Sequence, residues 1–215
     1  MKTLTKAGSP KQEALEIVIT ELERSLMVLE ANYQKAVSNL SLLRKCVETD
    51  DLTRLLRRGA FMVKLHNLVQ NSAAEGREVH VMMIDVDHFK SVNDTHGHQT
   101  GDVVLQQISE LVSRFMRPED LAGRYGGEEI IVAMQGGKVE AQAVAERIRS
   151  VVESHRMVSR AKVEFKVTLS VGVASSHEFG FEADSLIGRA DAALYRAKSS
   201  GRNCIIVDYH EVVAA

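Results

Sequence analysis

Residues 121–134 read LAGRYGGEEIIVAM. Two short runs, Leu121 to Tyr125 and Glu129 to Met134, flank the pair Gly126-Gly127. Runs of this length around paired glycines predict two strands joined by a tight hairpin. Glycine there can take positive φ and lets a ligand approach the backbone closely. Upstream, Val79 to Val86 is a strongly apolar strand interrupted only by His80. A stretch rich in Gly, Asn and Asp follows and reads as a loop. Val104, Leu105, Ile108, Leu111, Val112 and Phe115 then recur at helical spacing, and a helix is predicted to end near Met116. Downstream, Val144, Ile148, Val151 and Val152 mark a second helix, and Val163 to Ala174 reads as one long alternating strand. Leu186, Ile187, Ala190, Leu194 and Ala197 mark a third helix, ended by Gly201, and Cys204 to Val207 reads as a closing strand. Leu52 to about Ala74 reads as a turn followed by a helix. The order β-α-β-β-α-β, with additions, predicts an α+β, ferredoxin-like antiparallel sheet carrying helices.

Before Thr49 the pattern is different. Leu15, Ile19, Leu22, Leu26, Leu29, Tyr33, Ala36, Leu40, Leu43 and Val47 alternate at spacings of four and three. That is a heptad seam, and it predicts a coiled coil that pairs two copies of the chain through residues 15–47. An amphipathic helix packed on its own domain is the other reading, but a two-position seam is narrower than such a helix needs. Leucine at most d positions, with Ile19 and Val47 at a, suits a parallel dimer. Glu16, Glu23 and Glu30 at e face no basic g residue, so ion pairs do not fix the partner. The predicted organisation is a flexible N-terminus at 1–10, a stalk at 11–48, a domain at 49–210 and a tail at 211–215.

The 215 residues carry a formal net charge of -2, so the chain has no general attraction for nucleic acid or anionic membrane. Cys46 and Cys204 stand at no metal-ligand spacing and suggest a reducing compartment. Met1 to Pro10 lacks an apolar signal segment, and no run is long enough to span a bilayer, so the expected location is the cytoplasm.

Chemistry concentrates at two places. Asp85 and Asp87 end the most apolar strand, on one face by alternation. Carboxylates there need a partner, and a hard cation such as Mg²⁺ is one; a turn cap is the other reading for Asp85. Glu128 and Glu129 follow the glycine pair. Brought together, the four carboxylates would suit metal-assisted nucleotidyl transfer. No Walker A sequence is present, which excludes a P-loop enzyme.

With these residues in place, a resemblance is plain. Arg124 to Ile130, RYGGEEI, resembles the signature of the GGDEF family, the diguanylate cyclases. Asp85 to Leu105, DVDHFKSVNDTHGHQTGDVVL, is similar to the family's metal and guanine segment. Asp191 to Asn203, DAALYRAKSSGRN, resembles its phosphate segment, and Asp50 to Phe61, DDLTRLLRRGAF, its lead-in turn. The resemblance runs from about Asp50 to Val207 and implies a nucleotidyl-cyclase-type fold that condenses two GTP into cyclic di-GMP and two pyrophosphates with Mg²⁺ or Mn²⁺. By the same resemblance, Asp85, the Val86 carbonyl, Glu128 and Glu129 hold the metal. Glu128 takes the ribose 3′-hydroxyl proton. Asn93 and Asp102 read guanine, whose N1–H and 2-amino group both donate. Lys90, Lys198 and Arg202 hold the triphosphate; on spacing alone, Lys198 and Arg202 read equally as charges at a helix C-terminus. His98, beside the substrate residues, reads as steadying the Gly97–Gly101 loop. Arg117 and Asp120, spaced R-x-x-D, match the family's inhibitory site for its product; the other reading is a helix end and polar turn.

Three departures stand out. Ile130 replaces an aromatic, and Arg54 and Arg57 stand where the lead-in turn commonly has Gly and Asn, which puts that turn's hydrogen bonds at issue. The resemblance implies that each domain binds one GTP, so two domains are expected to meet face to face. The contrasting expectation is a non-catalytic module that binds GTP or cyclic di-GMP and signals through its coiled coil.

Overall fold

The computed structural model describes residues 10–159, 161–176 and 182–208. The terminus at 1–9 and the tail at 211–215 lie outside them. The chain divides into two compact units between Val47 and Glu48.

The first unit is the bulk of one helix, α1 (Pro10–Glu48). Pro10 opens it, where a missing N–H costs nothing. Leu15, Ile19, Leu22, Leu26, Leu29 and Tyr33 are each 45–65% exposed, a continuous apolar row facing water. The side chains of Leu40, Leu43 and Val47 lie outside the described set.

The second unit begins with a turn that Asp50 organises. Its carboxylate accepts from the Thr53 N–H and hydroxyl, both at 2.9 Å. Arg54 takes positive φ, 61°, in the turn. Arg57 donates to the Thr49 carbonyl at 2.7 Å and to Asp51 at 2.8 Å. The turn is therefore bonded despite its two unusual arginines. Then come β1 (Leu56–Arg57), α2 (Arg58–Glu75) and β2 (Val79–Val86). Gly76, at φ 66°, ends α2 in the left-handed conformation, and the Arg77 N–H closes the turn on Ser72.

After β2 the chain forms helix α3 (Phe89–His96) where composition predicts a loop, and the predicted helix, α4 (His98–Ser113), starts within that same stretch, ahead of Val104. Buried Phe89 and Val92, three apart, anchor α3 among polar neighbours. Gly97, at φ 83°, breaks the two helices apart. α4 stops at Ser113, short of Met116, and looser turns carry the chain on. The hairpin follows as β3 (Leu121–Arg124) and β4 (Glu129–Gln135), then α5 (Lys138–Ser154).

The predicted strand from Val163 to Ala174 is two strands. β5 (Met157–Val158) pairs with β6 (Glu164–Phe165) in a separate ribbon, and β7 (Leu169–Ser175) joins the main sheet. Alternation runs unbroken through the gap, so the sequence gives no mark of it. Tertiary contacts make the break: the Phe165 ring stacks on His96 at 4.4 Å, and the Thr168 carbonyl accepts from the Asp87 N–H. α6 (Ala183–Ser199) and β8 (Ile205–Asp208) complete the unit.

The six-stranded sheet has the order β1-β3-β4-β2-β7-β8. Its four central strands are antiparallel, as a ferredoxin-like plan requires, but β1 and β8 pair parallel at the two edges, so the sheet is mixed. Every residue of β2 is buried because both faces are covered. Met82, Ile84 and Val86 face α4 and α5; Val81 and Met83 face α2 and α6. α6 lies directly on β7. A Cβ on Gly172 would meet the Ala190 carbonyl at 2.1 Å and the Leu194 nitrogen at 2.2 Å.

Candidate active site

The end of β2 and the start of β4, neighbours in the middle of the sheet, meet at one end of their strands. Asp85 is 6% exposed and pairs across the ladder with Glu129, the first residue of β4. Paired residues share a face. On that face α6 brings the Lys198 ammonium to 2.8 Å from the Asp85 carboxylate. Burial pushes the Asp85 carboxyl up, Lys198 opposes, and the charges of Glu128 and Asp87 add to the rise. Burial also raises Glu129, helped by Asp85, Asp191 and Glu128. Desolvated, mutually repelling carboxylates are a donor set that a hard cation fits. Val86 closes β2 beside them. Among the described residues, no three His, Cys, Asp or Glu side chains are already gathered as a metal cluster.

Asp87 does not belong to that donor set. Its carboxylate accepts from the Thr168 and Ser170 hydroxyls, both at 2.6 Å, and from the Asn203 N–H at 3.0 Å. It is a tie between chain segments.

Beside the carboxylates opens a cleft of about 390 Å³ lined by Lys90, Asn93, His98, Asp102 and Glu128. The break at Gly97 lets the end of α3 and the start of α4 form one wall. Asn93 Oδ1 is buried there without a hydrogen-bond partner. Buried acceptors are rarely left so, and a ligand donor would satisfy it. Gly101 makes the room: a Cβ there would stand 1.9 Å from Asn93 Oδ1. His98 is exposed, opens α4 and makes no side-chain hydrogen bond, so it lines the cleft and does not steady a loop. Thr100 does that instead, donating its hydroxyl to the His96 carbonyl at 2.8 Å and its N–H to Gly97.

The hairpin tip is braced from outside. Arg124 donates to the Gly127 carbonyl at 2.8 Å and to Asp50 at 3.2 Å. Burial would raise Asp50, but the Thr53 bonds and Arg124 hold it below the usual carboxylate range. The Arg58 guanidinium lies 4.2 Å above the Tyr125 ring. Neither Gly126 nor Gly127 takes positive φ. Gly126 instead clears space, since a Cβ would stand 2.4 Å from Glu129 Oε2. Sequence reasoning missed Arg124 and Asp50 as braces. Their signal is weak: an arginine before the glycines and an Asp-x-x-Thr turn about seventy residues earlier.

Arg202 sits in the loop after α6, exposed and without a side-chain hydrogen bond. Arg117 and Asp120 form a separate tight turn, the Arg117 N–H donating to Asp120 Oδ2 at 2.8 Å. The Arg117 guanidinium is paired with Glu140 of α5. Burial raises Asp120 against the pull of Arg117, and its Oδ1 is buried without a partner.

Residues 47–204 match the family described as "Diguanylate cyclase, GGDEF domain". The chain belongs to the GGDEF family. Diguanylate cyclase A of Treponema denticola is 38% identical over 201 residues, 91% of this chain and 54% of that protein. The response regulator PleD of Caulobacter vibrioides is 37% identical over 171 residues, 79% of this chain and 38% of PleD. The chain thus spans about half, or less, of these relatives' length. Among solved structures, the coiled coil and GGDEF domain of DgcB from Caulobacter crescentus, in complex with c-di-GMP, superposes with TM-score 0.78 at 33% identity, covering 87% of this chain and 99% of that one. SiaD of Pseudomonas aeruginosa, in complex with its activator SiaC, gives 0.77 at 34% identity, covering 92% and 77%.

Proposed function

We propose that this GGDEF protein is a diguanylate cyclase that condenses two GTP into cyclic di-GMP with release of two pyrophosphates. The observation that carries the reading is the Asp85–Glu129 pair, partly desolvated at the end of the two central strands, next to a cleft where Asn93 keeps an unpaired acceptor. Asn93 and Asp102 accept from guanine, a donor pattern that adenine lacks. Lys90, Lys198 and Arg202 grip the phosphates and oppose charge built up at the α-phosphate. Glu128 takes the 3′-hydroxyl proton. Asp85, the Val86 carbonyl, Glu128 and Glu129 would hold Mg²⁺ or Mn²⁺, which when bound acidifies the attacking hydroxyl and neutralises the leaving group.

Two domains must face each other, each presenting one GTP. The exposed row on α1 supports a homodimer through residues 15–47, since such a row is otherwise left in water. Arg117 and Asp120 we assign to feedback inhibition by cyclic di-GMP, for which the unpaired Asp120 Oδ1 leaves an acceptor. The domain bounds 11–48 and 49–210 follow the same reading. Among the described residues, no helix is long and apolar enough to cross a membrane, and we place the enzyme in the cytoplasm with its substrate.

The test is incubation of the full chain with GTP and Mg²⁺, nucleotides resolved by chromatography, with Glu128→Ala in parallel. Cyclic di-GMP from the wild type alone is expected. No product after enzymatic removal of bound cyclic di-GMP would favour the non-catalytic binding module.

A further inference from the structure

The loop that carries Arg202 is held in an unfavourable backbone conformation. Gly201, Arg202 and Asn203 all take positive φ, at 108°, 66° and 47°. For glycine this is free. For Asn it is tolerated, but for Arg it is costly, and such residues persist only where their surroundings over-determine them.

The surroundings here are specific. Asn203 uses its N–H and both side-chain atoms. The N–H donates to Asp87 Oδ2 at 3.0 Å, Nδ2 donates to Glu153 Oε1 at 2.7 Å, and Oδ1 accepts from Arg149 Nη1 at 2.6 Å. Arg149, on α5, is only 14% exposed. Its fork also donates to Glu153 at 2.9 Å and twice to Glu146, at 3.0 and 2.6 Å. Asp87, two residues beyond Asp85, is fixed by Thr168 and Ser170. Asn203 is thus gripped from α5 on one side and from the end of β2 on the other. The adjacent Arg202 leaves its own side chain exposed and unbonded.

We propose that Arg149, acting through Asn203, is a positioning residue that holds Arg202 in register with the Asp85 strand end for the substrate phosphates. This rests on Arg202 as a phosphate ligand. A single surface ion pair would be worth little. A planar fork that satisfies three groups at once, one of them on the strained loop, fixes geometry as well as charge.

The experiment compares Arg149→Gln, Arg149→Lys, Asn203→Gly and Arg202→Ala in the full chain, alone and combined. GTP affinity with Mg²⁺ is measured by titration calorimetry, and turnover by cyclic di-GMP release. Asn203→Gly is informative because glycine keeps the left-handed backbone and the bond to Asp87 while losing the clamp. Arg149→Gln, Asn203→Gly and Arg202→Ala are each expected to weaken GTP about tenfold, the scale of a charge-assisted contact. Arg149→Lys, which keeps charge but not the fork, recovers only part. On the Arg202→Ala background neither clamp variant adds further loss, as residues acting through one contact must. Multiplying losses, or unchanged GTP affinity in both Arg149→Gln and Asn203→Gly, would reduce Arg149 to a brace of α5 and overturn the proposal. Unchanged affinity in Arg202→Ala itself would overturn the phosphate assignment beneath it.

Discussion

Adding one methyl group at Gly101 should damage guanine binding without damaging the fold. Gly101 lies in the first turn of α4, buried against Asn93. A Cβ there would stand 1.9 Å from Asn93 Oδ1 and 3.1 Å from Phe89 Cζ, where unstrained contacts need about 3.5 Å. The amide must swing away by roughly 1.5 Å, further than a hydrogen bond tolerates, while the Phe89 ring has only to give by a few tenths of an ångström. The lost bond to the base is worth about 1–2 kcal/mol, which is about a tenfold rise in KM for GTP. Alanine also favours a helix over glycine by up to about 1 kcal/mol, so the domain should melt no lower than wild type. The assay is cyclic di-GMP release against GTP concentration, with thermal unfolding alongside. Wild-type KM in Gly101→Ala would refute the placing of guanine against Asn93. A large fall in Tm would refute the view that only a side chain has to move.

Three further outcomes are expected. Gly172→Ala sets a methyl against backbone atoms of α6 that cannot retreat, at 2.1 and 2.2 Å, and overpacking of about 1–3 kcal/mol or more should lower Tm by roughly 5–10 °C. Burial raises the Glu129 carboxyl, so its cost to the folded state is absent below the ordinary carboxylate range and grows as pH climbs through the raised value. Glu129→Gln should therefore raise Tm at pH 7 by up to a few degrees, not at pH 3.5, and should abolish stabilisation by Mg²⁺ with GTP; a lower Tm at pH 7 would contradict this. Removing residues 1–46 should make specific activity depend strongly on protein concentration, because the stalk supplies an effective partner concentration on the order of millimolar; equal, concentration-independent activity would sink that role.

What could be read from the sequence is what local patterns specify. The apolar run of β2 and the glycine-split runs of β3 and β4 declare themselves, because strand identity there depends on a few adjacent residues. Helix α3 does not, because Phe89 and Val92 are two apolar residues in a polar stretch, and only burial against the sheet makes them an anchor. The gap between β6 and β7 is invisible for the complementary reason. The alternation is uniform, and the residues that pull Phe165 and Thr168 aside, His96 and Asp87, lie far back in the chain. Asp87 shows the same limit at the site. Strand alternation places it with Asp85, but its role is set by partners 81 to 116 residues distant. The hairpin glycines were legible as a turn and misleading as to cause: Gly126 is small because Glu129 folds over it, a fact of space and not of φ.

The site also shows why its parts resist reading one at a time. Lys198 bonds Asp85 in this structure, and the two have different destinations in the proposed reaction: Lys198 the phosphates, Asp85 the cation. Each balances part of the other's charge, which limits the cost of keeping Asp85 buried beside Glu129. Moving Lys198 onto a phosphate exposes Asp85 and Glu129 to their mutual repulsion unless positive charge takes its place. Under the proposed roles, nucleotide and cation would be linked through this one ion pair, each favouring the other by the same free energy. That linkage arises from a strand end and a helix brought together by the close seat of α6 on Gly172, and no single motif in the chain contains it.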